Sequence, residues 1–212
     1  MLSLPCRKHE TYEDFYIMIT TIRSNIIESF KIVLSIVALL WIILFISYSY
    51  PVIFDYGIKP RTALGLLGIF LAPFIHADIN HLIENSISLL ILGFIFLIME
   101  RKLSLAIVMK IIVIGGFGTW LIGRSDCGSG PCTHIGASGV IYGILGYLVS
   151  MGIFIRNSKA IIVSSIVFML FLVKGQALQG IFPTDRFVSW EYHLCGFLSG
   201  IITARVYSQR NS

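Results

Sequence analysis

Runs of apolar residues without any charged side chain divide this chain into blocks. Six of the uncharged stretches are candidate spans, at residues 32–54, 85–99, 111–123, 127–155, 160–173 and 192–204. A helix that crosses a bilayer needs about 20 mostly apolar residues. The first stretch reaches that length, and the fourth does so from Gly136 onward. We therefore predict an all-α polytopic membrane protein, a bundle of six transmembrane helices.

The other four stretches can cross a bilayer only under additional conditions. The second and third reach the length if Glu84 and Lys110 are tolerated near a helix end or a cavity. The last two are short, so they span only if flanking side chains snorkel or the bilayer thins locally. A soluble protein with core helices would explain these two but not the other four.

The connections between the spans differ in length. Residues 50–75 carry three prolines and a broken apolar run at 63–71, which indicates a segment partly sunk in the outer leaflet. A seventh, re-entrant element is an alternative there. The outer loop at 175–191 is long enough to cover or gate a site.

The domain organisation follows from the same pattern. We predict a short cytosolic amino-terminal segment at 1–31, one membrane domain at 32–207 and a cytosolic tail at 208–212. The first segment holds Phe15, Ile19, Ile22 and Ile26 at helical spacing, so it is either a short surface helix or an unstructured leader. No further span and no folded soluble domain are expected.

Composition and charge support a membrane class. Hydrophobic residues make up 56% of the chain and charged residues 13%, about half of the ~25% usual in soluble domains. The net charge of +5 does not indicate nucleic acid, because Lys and Arg cluster at span ends. Most of them lie on the amino-terminal side of the membrane, so the positive-inside rule predicts cytosolic termini. We expect a multi-pass protein of a bacterial cytoplasmic membrane.

The four cysteines suggest no metal site. Cys127 and Cys132 lie in an outer loop and are either disulfide-bonded or two free thiols. Cys6 is predicted to be cytosolic and Cys195 lies within a span. We expect neither a metal nor another cofactor.

Ser138 lies near the outer end of the fourth span. A serine nucleophile needs a base for its proton and donors for the developing oxyanion. His193 lies near the outer end of the sixth span, so the topology places nucleophile and base at a similar depth. We predict that Ser138 and His193 form a catalytic pair.

Small residues on both spans favour close approach of the two helices. Gly139 and Gly143 form a glycine face on the fourth span, and Gly196 and Gly200 form one on the sixth. Glycine packing alone explains these residues but not the serine and histidine. Tyr142, one turn after Ser138, either stacks on the imidazole or packs ordinarily. Gly136, Gly139 and Tyr142 are expected to support the pair.

His81 and Asn85 project from one face of the second span. Both can donate a hydrogen bond, which suits an oxyanion hole completed by the Ser138 amide; helix–helix hydrogen bonding is the alternative. His76 is interpreted as anchoring a loop, and His134 as an unrelated loop contact.

No carboxylate is positioned to orient His193. Glu191 is two residues away and points elsewhere, and Asp185 lies in the preceding loop. A two-member Ser–His arrangement is therefore predicted, a variant of the three-member scheme.

These residues together resemble the rhomboid intramembrane serine proteases. The run at 136–143 reads Gly-Ala-Ser-Gly-Val-Ile-Tyr-Gly, and His81-x-x-x-Asn85 and His193-x-x-Gly196-x-x-x-Gly200 stand in the same order as in that family. Residues 99–102, Met-Glu-Arg-Lys, resemble the family's Glu-Arg element. The likeness extends over about residues 32–207.

The resemblance implies an activity. Ser138 would be the nucleophile, His193 its general base and acid, and His81 with Asn85 the oxyanion donors. Substrates would be single-span membrane proteins, cut in or near the span, with the fifth span forming part of their gate. A relative that binds or moves membrane clients without cutting them is the alternative, and a small transporter fits poorly because inverted repeats are missing. The oligomeric state stays open.

Overall fold

Helices account for most of the chain in this computed structural model, which describes residues 7–128, 130–173, 180–183 and 188–209. Within those ranges there is no β-strand, only two isolated backbone bridges between loop residues. The helices are α1 (Arg7–Ser49), α2 (Ala63–Leu71), α3 (Ile79–Glu100), α4 (Ser104–Ile122), α5 (Ser138–Ile155), α6 (Ser158–Val173) and α7 (Trp190–Ser208). The prediction of an all-α membrane bundle is confirmed.

The six predicted spans correspond in order to α1 and α3 through α7. By length and apolar composition, α1, α3, α4 and α5 can each cross a membrane. Helix α6 has 16 residues, about 24 Å of helix against the ~30 Å of a hydrocarbon core. Helix α7 has 19 residues but carries polar and charged side chains at both ends. A π-helical turn, Leu89–Gly93, interrupts α3.

The first helix is much longer than a span. Helix α1 has 43 residues, about 65 Å at 1.5 Å per residue, and it continues without a break across the boundary predicted at residues 31 and 32. The alternative of an unstructured leader is therefore wrong from Arg7 onward. Phe15, Ile19, Ile22 and Ile26 are all exposed on it.

The connection at 50–75 folds as two 3₁₀ turns around the short helix α2. Thr62 caps α2 by accepting a hydrogen bond from the Gly65 N–H at 3.0 Å. Nine residues make only about 14 Å of helix, too little to span. Ile69 of α2 packs against Gly116 of α4, while Leu67 on its other side is exposed. A short helix packed against the bundle thus occupies this connection, and its predicted position in the outer leaflet stays a prediction.

Helices α5 and α7 cross in backbone-to-backbone contact. A methyl group added at Gly196 would lie 2.1 Å from the Gly139 carbonyl oxygen, and one at Gly200 would lie 1.9 Å from that of Gly143. Real side-chain carbons do not approach so closely, so both positions require glycine. The amino termini of α5 and α7 are thereby brought side by side.

A disulfide bond joins Cys127 to Cys132 in the loop before α5, which decides between the two alternatives left by the sequence. Cys195 is a buried free thiol. Cys6, Asp185, most of the 175–191 loop and the tail from Arg210 lie outside the described residues, so the predictions for them stay predictions.

Candidate active site

The start of α5 carries Ser138. Gly136, two residues earlier, has a φ angle of +113°, a left-handed conformation that favours glycine. The Gly136 N–H donates to the Ala72 carbonyl at 2.9 Å, and the Ala137 N–H donates to His76 Nε2 at 3.2 Å. These bonds fix the backbone immediately before the serine.

Gly136 also leaves room for a histidine beside the serine. A methyl group at this position would lie 2.8 Å from His81 Nε2 and 3.5 Å from Ser138 Oγ. The two side chains therefore flank one point in space, although they come from α3 and α5. Any side chain at Gly136 would displace the His81 ring.

His76 is almost completely buried behind this turn. Burial, reinforced by the neighbouring His81, lowers the pKa of His76 from 6.5 to about 4. A neutral ring can present Nε2 as an acceptor, which is what the Ala137 N–H requires. His76 thus anchors the backbone next to the serine, in line with its interpretation as an anchor.

Helix α3 presents His81 and Asn85 one turn apart. Asp78 caps this helix by accepting the His81 N–H at 3.0 Å. Asn85 is buried and donates Nδ2 to the His81 carbonyl at 2.9 Å, which leaves its second amide N–H for another acceptor. The first N–H groups of a helix have no intrahelical partner, and the one at Ala137 is already engaged. Ser138 therefore supplies the first backbone donor available beside its own hydroxyl.

His193 is held by a backbone carbonyl and an aromatic ring. Its Nδ1 lies 2.8 Å from the Gly180 oxygen, and its ring stacks on Tyr142 with centroids 4.3 Å apart and planes 15° apart. A carbonyl can only accept, so Nδ1 carries the proton and Nε2 keeps its lone pair. Nε2 is then the basic nitrogen.

One cavity of about 830 Å³ joins these groups. Ser138, His193, His81, Asn85 and Tyr142 all line it. Among the described residues the His193 ring bonds to Gly180 and not to Ser138. Catalytic hydrogen bonds are often long in unliganded enzymes and tighten when substrate binds.

A polar contact ties the disulfide loop to the start of α7. Arg124 forms an ion pair with Glu191 at 3.3 Å and donates to the Val188 carbonyl. His134 bonds to Ser189 and to the Arg124 carbonyl, and burial lowers the pKa of His134. Glu191 is therefore directed away from His193, and His134 is a loop contact as the sequence indicates.

Two contributors to the site carry no sequence pattern that would identify them. Gly180 belongs to a loop, and a methyl group there would lie 2.2 Å from the Tyr142 hydroxyl oxygen. Tyr192 is buried with its ring against Gly139, where an added methyl would lie 2.3 Å away. Gly139 thus makes room for the residue next to His193, while Gly143 faces Ile111 and Gly196.

Comparison with known proteins points to one family. A family model described as the Rhomboid domain matches residues 64–210. An uncharacterised protein of Mycobacterium tuberculosis is 35% identical over 193 residues, covering 89% of this chain and 79% of its own. An uncharacterised protein of Mycobacterium leprae is 37% identical over 155 residues, covering 72% and 60%. RHOMBOID-like protein 1 of Arabidopsis thaliana is 26% identical over 140 residues, covering 66% and 34%.

Proposed function

This chain belongs to the rhomboid family and is an integral membrane protein, and from that premise we propose that it is an intramembrane serine endopeptidase. Its substrates are single-span membrane proteins, cut within or near their transmembrane segment. The observation that carries the proposal is the shared cavity. A serine, two histidines and an asparagine from three different helices line it together, and polar side chains within spans are costly unless they serve a function.

The reaction begins at the serine hydroxyl. Ser138 Oγ attacks the scissile carbonyl carbon while His193 Nε2 takes up its proton. The imidazolium that forms keeps its Nδ1–H on the Gly180 carbonyl, 2.8 Å away. A carbonyl dipole and a stacked tyrosine ring replace the carboxylate of a three-member site. The protonated His193 then donates Nε2–H to the leaving amine.

The oxyanion of the tetrahedral intermediate needs donors that are already in place. The Ser138 N–H, the His81 ring and the second N–H of Asn85 are the candidates, and removing one such donor typically lowers kcat about 10²–10³-fold. Water from the cavity then attacks the acyl-enzyme, with His193 again acting as base. Each step uses protein groups and water alone.

The test of this function combines covalent labelling with cleavage. A fluorophosphonate should label the wild-type protein in detergent, and Ser138→Ala and His193→Ala should each lose both the label and the cleavage of a helical substrate. Ser150→Ala is the matched control, because Ser150 lies on the same helix and bonds to the Gly146 carbonyl. The control should keep both signals.

The outcome separates the enzyme from a relative that binds clients without cutting them. Cleavage that persists in well-purified Ser138→Ala would contradict the proposal. A wild-type protein that retains a single-span client but never cuts it or reacts with the probe would establish the binding function instead.

We further propose that both termini are cytosolic and that the cavity opens to the opposite side of the membrane. The basis is the charge distribution in the sequence. A reporter fused after Ser212 should read as cytosolic, and an exported reading would contradict this orientation.

A further inference from the structure

A carboxylate lines the candidate active site near the amino-terminal end of α3. Glu84 is on α3, one turn after His81 and directly before Asn85, and it lines the same cavity as Ser138 and His193. It is five residues from the start of a helix that can cross a membrane, about 7.5 Å along the axis. Ionisable residues within spanning helices are rare and usually mark a functional contact.

Glu84 forms no ion pair with a lysine or arginine within the described part of the chain, although its carboxylate interacts electrostatically with the nearby His81 ring. The ion pairs found there join Lys31 to Glu28, Lys59 to Asp55 and Arg124 to Glu191. Neither lysine nor arginine lines the cavity, whereas a second carboxylate, Asp78, does. Asp78 already has a structural task, because it caps α3. Glu84 is exposed, lines the cavity and makes no side-chain hydrogen bond to another described residue, so a ligand in the cavity can reach its carboxylate.

We propose that Glu84 is a specificity-determining residue that binds a lysine or arginine side chain of the substrate close to the scissile bond. This inference rests on the proposed protease function and names the substrate class of that same site. Lysine and arginine have long apolar stems, which let the charge reach the interface while the stem stays in lipid. A substrate that carries such a residue on the side to which the cavity opens would bring its charge to Glu84.

Two other roles for Glu84 make different predictions. If the carboxylate only keeps the cavity hydrated, or only helps to position His81, its removal should change kcat/KM equally for all substrates. A carboxylate that pairs with a substrate cation affects substrates according to their charge. These roles can therefore be distinguished by measuring how cleavage depends on the charge at residue 84 and on the charge of the substrate.

The experiment uses the full-length protein in detergent micelles and a set of single-span substrates. The substrates differ at one position only, which carries Lys, Gln or Glu, and that position is moved across the residues on both sides of the cut. We expect the wild-type protein to have kcat/KM about tenfold higher for Lys than for Gln at one or more positions, the effect of a close charge pair. Glu84→Gln should abolish that preference, and Glu84→Lys should prefer Glu instead.

Asp55→Asn is the matched control, because Asp55 is paired with Lys59 and does not line the cavity. It should keep the wild-type preference. Equal kcat/KM for Lys and Gln substrates at every position would overturn the inference, as would an equal loss for all substrates in Glu84→Gln. Fluorophosphonate labelling that depends on Ser138 shows in parallel whether the protease function itself holds. If labelling holds and the charge preference is missing, the inference about Glu84 alone has failed.

Discussion

Helices α5 and α1 differ in how much of their surface is buried inside the protein. In the most apolar 18 residues of α5, 61% are buried inside the protein, whereas in α1 only 28% are. The helix that carries the serine is thus enclosed by protein, and the first helix faces mostly away from it. The helix with the larger buried fraction is the one that carries Ser138 of the candidate active site.

The contacts of the two helices differ in kind as well as in extent. Helix α5 contacts α7 through glycine backbone at 139, 143, 196 and 200, with no space for a side-chain carbon. Helix α1 packs on α3 through side chains, and Trp41 Nε1 donates to Ser86 Oγ at 3.2 Å. Side chains can change rotamer to absorb a small shift, but two backbones in contact cannot. Ser138 and His193 are therefore carried by the two helices whose contact permits the least adjustment.

The largest effect should follow from one added methyl group at the α5–α7 crossing. In Gly200→Ala the new carbon would lie 1.9 Å from the Gly143 carbonyl oxygen, so the helices must separate. We expect a loss of about 3 kcal/mol or more in unfolding free energy, at or above the upper end of the usual range for overpacking. Cleavage should fall in parallel, because Ser138 and His193 move apart. Thermal unfolding in detergent and a cleavage assay measure the two effects.

The matched control is the same substitution at the α1–α3 contact. A methyl group at Gly93 would meet its nearest neighbour, the Val33 side chain, at 3.6 Å, an ordinary van der Waals distance. Gly93→Ala should be neutral or slightly stabilising, since alanine favours a helix over glycine by up to about 1 kcal/mol. Equal destabilisation by the two variants would show that the contrast between the helices is not real.

The sequence was sufficient to predict the helix order and the close crossing of α5 and α7. Glycines at i and i+4 on both helices indicate that contact, because small residues at helical spacing have few other uses within a span. The depths of Ser138 and His193 follow from where each apolar block begins. These features depend on side-chain type and period alone, which a single sequence displays.

What could not be predicted depends on the path of the loops. The acceptor for His193 Nδ1 is the carbonyl of Gly180, and every residue has a carbonyl, so no residue type identifies it. The same holds for the Ala137 N–H that His76 accepts. Pairing of Cys127 with Cys132 could not be decided because spacing permits a disulfide without requiring one. The continuity of α1 was also missed, since the polar residues before Lys31 suit a leader as well as a helix.

Acidification should have a smaller effect on the free energy of unfolding. It acts through His76, which anchors the backbone at the start of α5. Burial lowers the pKa of His76 from 6.5 to about 4 in the folded protein. Between these values the unfolded chain binds a proton that the folded protein does not, so the free energy of unfolding falls as the pH falls. It is unaffected above about pH 7.5, where His76 is neutral in both states. At pH 5.5 this one histidine should cost about 1.3 kcal/mol relative to pH 7.5.

His76→Gln isolates this contribution. A glutamine carbonyl can still accept the Ala137 N–H but does not titrate, so the variant should lose about 1.3 kcal/mol less than the wild type between pH 7.5 and 5.5. Other buried histidines, His134 among them, are present in both proteins and cancel in the difference. Thermal unfolding in detergent at the two pH values gives the comparison. An identical acid loss in both proteins would mean that His76 is not held neutral, and the backbone before Ser138 would then need another anchor.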